Sequence, residues 1–147
     1  MHRIIIMPKT QTKIPTGDSK EDIKAREKII SDFYYEWYKN NPAKKVFNIH
    51  LKDYINVRYI SINETIRHAS KNYYSTLAVL QLDAILSNAT KYGKRTPTKQ
   101  GVKNQEPFSY MIEMRYELPY IGTAKLMVGV KKNSKEKIQY CITAIKT

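Results

Sequence analysis

Apolar residues recur at helical spacing from Ile23 through Ile30, Phe33 and Tyr34 to Trp37, with polar and charged residues between them. Ser19 stands three residues ahead of Asp22, the arrangement of an N-cap with an acidic capping partner. Asn40, Asn41 and Pro42 end the pattern. The spacing predicts a helix whose aromatic stripe faces a core. Ile55, Val57 and Tyr59 then alternate with Asn56 and Arg58, which predicts a short strand. Ser61 precedes Glu64 by three residues, a second capping pattern that would open a short helix in ETIRHASK. Ser75 is placed to cap a third helix with Ala78, Leu82, Ile85, Leu86 and Ala89 on one face and Gly93 as its stop.

After residue 105 the period changes from 3.6 to 2. Phe108, Tyr110, Ile112, Met114, Tyr116 and Leu118 alternate with Ser109, Met111, Glu113, Arg115 and Glu117. Pro119 marks a turn, and a second strand runs from about Tyr120 to Lys131, with Gly122 and Gly129 as candidate bends. KKNSKEK leads to a third strand, Ile138 to Ile145. Short connections predict an antiparallel meander. Helices first and strands later give an α+β domain, with N-terminal helices packed on one face of an antiparallel β-sheet of three to five strands. The helix-facing set is Tyr110, Ile112, Met114, Tyr116, Ala124, Leu126, Val128, Tyr140 and Ile142. Glu113, Arg115, Thr123, Lys125, Gln139 and Thr143 take the other face, and a one-residue bulge would exchange part of either set. Residues 1–18, broken by Pro8, Pro15 and Gly17, read as a flexible tail or, at Ile4 to Met7, an edge strand. Residues 19–147 read as one domain.

Charge changes this picture. Lys and Arg number 26 against 13 Asp and Glu, a formal net charge of +13. The segment from Lys91 to Gln105 holds Lys91, Lys94, Arg95, Lys99 and Lys103 and no acid. A cationic loop on a basic domain fits a phosphate-rich partner, and Arg67 extends the candidate nucleic-acid-binding set. Some of the twelve tyrosines are candidates to stack on unpaired bases. Cys141 is the single cysteine, which excludes an internal disulfide and a cysteine-based zinc site; its strand position suits a small buried or half-buried residue better than a nucleophile. His2, His50 and His68 are scattered, so no metal site and no cofactor is expected. The run Ile4 to Met7 is too short for a secretory or membrane segment, and a cytoplasmic protein without membrane partners is expected.

The polar sheet face carries the candidate chemistry. Cleavage of RNA through its 2′-hydroxyl needs a base, a cation at the phosphorane and an acid at the leaving oxygen. His68, Glu113, Arg115, Lys125 and Thr143 are the candidate catalytic residues. A plainer reading leaves Glu113 and Arg115 on a solvated sheet face, paired with residues of neighbouring strands.

The order ISINETIRHASK, LAVLQLDAILSNATKY, a variable loop, then FSYMIEMRYEL, AKLMVGVKK and IQYCITAI resembles the phage- and mobile-element-associated nuclease-like domains of the Barnase–EndoU–colicin–RelE group. The resemblance covers residues 57–145. It implies an RNase-type sheet fold of toxin-like type, and it matches His68, Lys125 and the strand from Tyr140 to Thr143, with Arg115 compatibly placed. The polar set departs from the group in having one histidine in place of a compact cluster. Three functions stay open at this level: a metal-independent endoribonuclease, a non-catalytic domain binding RNA or another polyanion, and an accessory module of a mobile element that binds an acidic protein.

Overall fold

The computed structural model describes residues 13–145. The predicted edge strand at Ile4 to Met7 lies outside them. Helix α1 (Lys20–Asn40) begins where Ser19 Oγ accepts the Asp22 N–H at 3.0 Å, so the cap read from the sequence is formed. Its buried stripe is Ile30, Tyr34 and Trp37, joined by Arg26. The Arg26 guanidinium is fully buried and donates to the carbonyls of Ser70 (2.7 Å) and Pro15 (2.8 Å), tying the start of the described chain to the helical layer.

A hairpin follows in place of the single strand expected at Ile55–Tyr59: β1 (Lys45–Asn48) and β2 (Asp53–Asn56). Asn48 shapes its turn. The buried side chain accepts the N–H groups of His50 and Leu51 and donates to the carbonyls of Leu86 and Ala89. Helix α2 (Tyr59–Ala69) starts earlier than the capping pattern implied. Ser61 lies within its first turn, where Oγ accepts the Arg58 N–H at 2.9 Å and donates to the Gln139 carbonyl at 2.5 Å. Glu64 is therefore a helix-interior residue and not a capping partner. The third helix is two short ones, α3 (Tyr73–Val79) and α4 (Leu82–Asn88), and Asn72 caps the first by accepting the Ser75 N–H. The Ser75 hydroxyl instead accepts the Ala144 N–H. Gly93 is no helix stop; with φ of 73° it turns the chain between β3 (Thr90–Lys91) and β4 (Thr96–Pro97), inside the basic segment.

Strands β5 (Phe108–Leu118), β6 (Gly122–Lys131) and β7 (Lys137–Ile145) form the meander that alternation predicts. The sheet they belong to is larger than expected and mixed. It is curled, with strand order β1-β2-β7-β6-β5-β3 and β4 also paired to β5. The parallel element is the pairing of β2 with β7, at Ile55 opposite Lys137 and Asn56 opposite Ile138. The strands added to the meander, β1, β2, β3 and β4, have two to four residues and are too short to show a period in sequence.

The helices and one sheet face enclose the main core, which includes Ile30, Tyr34, Leu82, Ile85, Met114, Leu126 and Ile142. A bulge between Met127 and Val128 changes the expected faces at β7. Gln139 points into the main core, fully buried, where it accepts from the Tyr34 hydroxyl (3.1 Å) and donates to Thr65 Oγ1 (2.7 Å). Tyr140 moves to the opposite face, in a second cluster with Phe108, Met111 and Ile138. The Phe108 ring lies on Gly129, where an added Cβ would sit 2.6 Å from a ring carbon.

Candidate basic sheet face

Beyond the bulge, the face turned away from the main core is read directly from the register. Glu113, Arg115 and Glu117 of β5 stand opposite Met127, Lys125 and Thr123 of β6; Met127 and Lys125 in turn stand opposite Cys141 and Thr143 of β7. Arg115, Lys125 and Thr143 thus form one row across three adjacent strands. Alternation put these three on one face; pairing makes them immediate neighbours, at the spacing of about 5 Å between paired strands. Arg115 is held in place: its Nε donates to Glu113 Oε2 at 2.7 Å and its guanidinium stacks 3.5 Å from the Tyr92 ring centroid. Tyr92 reaches this position because its N–H donates to the Glu113 carbonyl, which extends the β3 ladder.

Among the described residues, no hydrogen bond or ion pair links His68 to that row. It sits on α2, with Nε2 3.4 Å from Glu64 Oε1. Glu64 is the residue that sequence reasoning missed. Its side chain is 1% exposed, and it collects Arg67 Nη1 (3.0 and 3.3 Å) and Asn104 Nδ2 (2.5 Å) as well as His68. A carboxylate withdrawn from water needs such donors. The signal was present: Arg67 and His68 stand three and four residues after Glu64, one helical turn away on the same face.

The basic segment runs from the β3 edge to this cluster. Asn104, in a short 3₁₀ turn (Lys103–Gln105), makes the contact with Glu64, while Gln105 hydrogen-bonds Tyr140 and accepts the Lys99 N–H at 2.8 Å. Burial raises the Tyr140 phenol above its usual range, the Gln105 bond opposes this, and Glu64 adds to it. The Cys141 thiol is pushed up to about 11, chiefly by burial and then by Glu64, against the lowering fields of Lys125 and Lys99. Cys141 itself is a half-buried strand residue, within the buried or half-buried reading of its position.

The remaining basic residues are not gathered here. Arg95 stacks on Tyr110, 4.3 Å from the ring centroid, beside the exposed Lys94 at the β3–β4 turn. Lys91 stands opposite Met114, a main-core residue, and so belongs to the other side of the sheet. Lys103 is exposed at the 3₁₀ turn. Among the described residues, no three His, Cys, Asp or Glu side chains lie grouped to hold a metal ion, and no helix is long and apolar enough to cross a membrane.

A family model described as large polyvalent protein-associated domain 3 matches residues 25–139, from the first turns of α1 to Gln139 in β7. No curated protein and no solved structure matches the chain.

Proposed function

The chain belongs to the large polyvalent protein-associated domain 3 family, a phage- and mobile-element-associated domain, and on that premise we propose that it binds RNA across the sheet face of Arg115, Lys125 and Thr143. One observation carries this reading: the register sets Arg115, Lys125 and Thr143 side by side on three adjacent strands, while Asn104 anchors the basic segment at Glu64. A guanidinium, an ammonium group and a threonine hydroxyl in one row suit a phosphate backbone.

Salt dependence tests it. Neutralised phosphates release counterions, so affinity for a labelled single-stranded RNA should fall steeply and linearly in log[salt]. Lys125→Ala and Lys99→Ala should each lower that slope by about 1. Absence of binding at low salt, or binding indifferent to salt, overturns the proposal; retention of an acidic protein by a chain with no RNA affinity would turn it toward the accessory-module reading.

A second reading, cleavage of the bound RNA, is favoured by the His68–Glu64 pair. A histidine 3.4 Å from a buried carboxylate is a candidate base. His68 would take the 2′-hydroxyl proton, the freed oxygen would bond to the adjacent phosphorus, and the P–O5′ bond would break. The leaving O5′ takes a proton from water, giving a 2′,3′-cyclic phosphate and a 5′-hydroxyl. Lys125 and Arg115 would hold the phosphorane charge. Incubation with RNA in EDTA should then yield cyclic-phosphate ends with wild type and none with His68→Ala, which should still bind. Equal cleavage by both proteins overturns this chemistry.

A further inference from the structure

We propose that the surface pocket between β3 and the end of the β5–β6 hairpin is a nucleobase site that selects guanine. This rests on the RNA-binding reading and adds a base-reading site to its phosphate row. The pocket is lined by Asn88, Thr90, Tyr92, Arg115, Glu117 and Thr123.

Its first component is a stacking surface. The Tyr92 ring is 52% exposed although it already carries the Arg115 guanidinium on one side. Aromatic rings and guanidinium planes are the two surfaces on which unpaired bases stack, and a base entering this pocket extends an existing pair. Because Glu113 fixes Arg115 through Nε, the stack is ordered before a ligand arrives, which lowers the entropic cost of binding.

The second component reads the base edge. Thr123, itself buried, donates its hydroxyl to Glu117 Oε2 at 2.6 Å. That bond orients the carboxylate and leaves lone pairs on both oxygens. A carboxylate only accepts. Guanine alone among the four RNA bases offers two adjacent donors, N1–H and N2–H, on its Watson–Crick edge. Adenine and cytosine set one amino donor beside an acceptor that a carboxylate repels, and uracil flanks its single N–H with carbonyls.

Register links this pocket to the phosphate row. The pair Glu117–Thr123 is two residues along from the pair Arg115–Lys125 on the same face, a distance of about 7 Å along the strand. A nucleotide with its base against Glu117 therefore has its backbone within reach of Lys125.

The test compares fluorescein-labelled pentamers UUGUU, UUAUU, UUCUU and UUUUU by fluorescence anisotropy at one salt concentration. Wild type should bind UUGUU roughly tenfold more tightly than the others, the worth of a charge-assisted pair of hydrogen bonds. Glu117→Gln should bring UUGUU down to the level of the other three. Tyr92→Ala should weaken all four by at least about fivefold through lost stacking, with unchanged circular dichroism showing that each variant is folded. Equal, salt-sensitive binding of the four by wild type overturns the pocket and leaves the RNA-binding reading standing. A guanine preference retained in Glu117→Gln also overturns it. Failure of all four to bind overturns both.

Discussion

Replacing Gln139 with leucine tests the bulge that divides the two faces of β7. The side chain is fully buried between α1 and α2, accepting from Tyr34 and donating to Thr65. Burial holds the Tyr34 phenol far above its usual range, so it remains a neutral donor that needs an acceptor. Leucine has nearly the same volume but leaves both hydroxyls without this partner. The two hydroxyls can still bond each other, so the loss is that of one buried group short of its partner, about 1–3 kcal/mol, with about 2 kcal/mol expected. For a chain of this size that corresponds to a fall in Tm of roughly 6 °C. Urea unfolding followed through Trp37, the single tryptophan and a buried one, measures it directly. Tyr34→Phe removes the hydroxyl that loses Gln139, so the double variant Tyr34→Phe/Gln139→Leu should be more stable than the sum of the single losses by about 1 kcal/mol. Stability of Gln139→Leu within about 1 kcal/mol of wild type, or strict additivity, would refute the assignment of Gln139 to the core.

Three further outcomes follow from the same geometry. The Cys141 thiol ionises near its ordinary value of 9.0 when unfolded and at about 11 when folded; stability should be unaffected below pH 9 and should fall as pH rises from 9 toward 11, by up to about 2–3 kcal/mol. Cys141→Ala should flatten that part of the pH–stability curve, and parallel curves would refute the burial argument. Gly129→Val drives a side chain into the Phe108 ring and should cost about 2–3 kcal/mol; a Phe108→Ala background should relieve much of this, and an equal cost in both backgrounds would count against the contact. Asn104→Ala removes the loop's bond to Glu64, so trypsin cleavage at Lys99 and Lys103, mapped by mass spectrometry, should quicken roughly tenfold while the core strands stay protected; an unchanged rate would mean that the loop is held elsewhere.

Sequence legibility followed element length. Strands β5, β6 and β7 were readable because nine or more residues with one buried face display period 2. The hairpin of β1 and β2 was not, since four-residue strands with mixed burial carry no period, and the parallel pairing with β7 depends on contacts that no local pattern encodes. Ser61 and Glu64 fit a capping rule, yet the helix starts at Tyr59 because the chain after β2 turns directly into it. For the site, Arg115, Lys125 and Thr143 could be placed on a face by alternation. Their exact adjacency needed the register, and Gln139 and Tyr140 exchanged faces at a bulge that glycine placement located only approximately. Glu64 was hidden by its resemblance to a cap, and Tyr92 by lying inside a segment whose dominant feature is its lysines.

Strand β7 is the last described element in the chain, yet it lies inside the sheet, between β2 and β6. Through Asn56, Tyr34, Thr65 and Ser75 it also takes hydrogen bonds from or gives them to segments made much earlier. On the ribosome, everything from α1 to β6 must therefore wait with an open slot until residue 145 has cleared the exit tunnel. A nascent chain interrupted anywhere within β7 lacks the strand that joins its two halves, so a partial product would expose the core to proteases instead of persisting as a smaller folded domain.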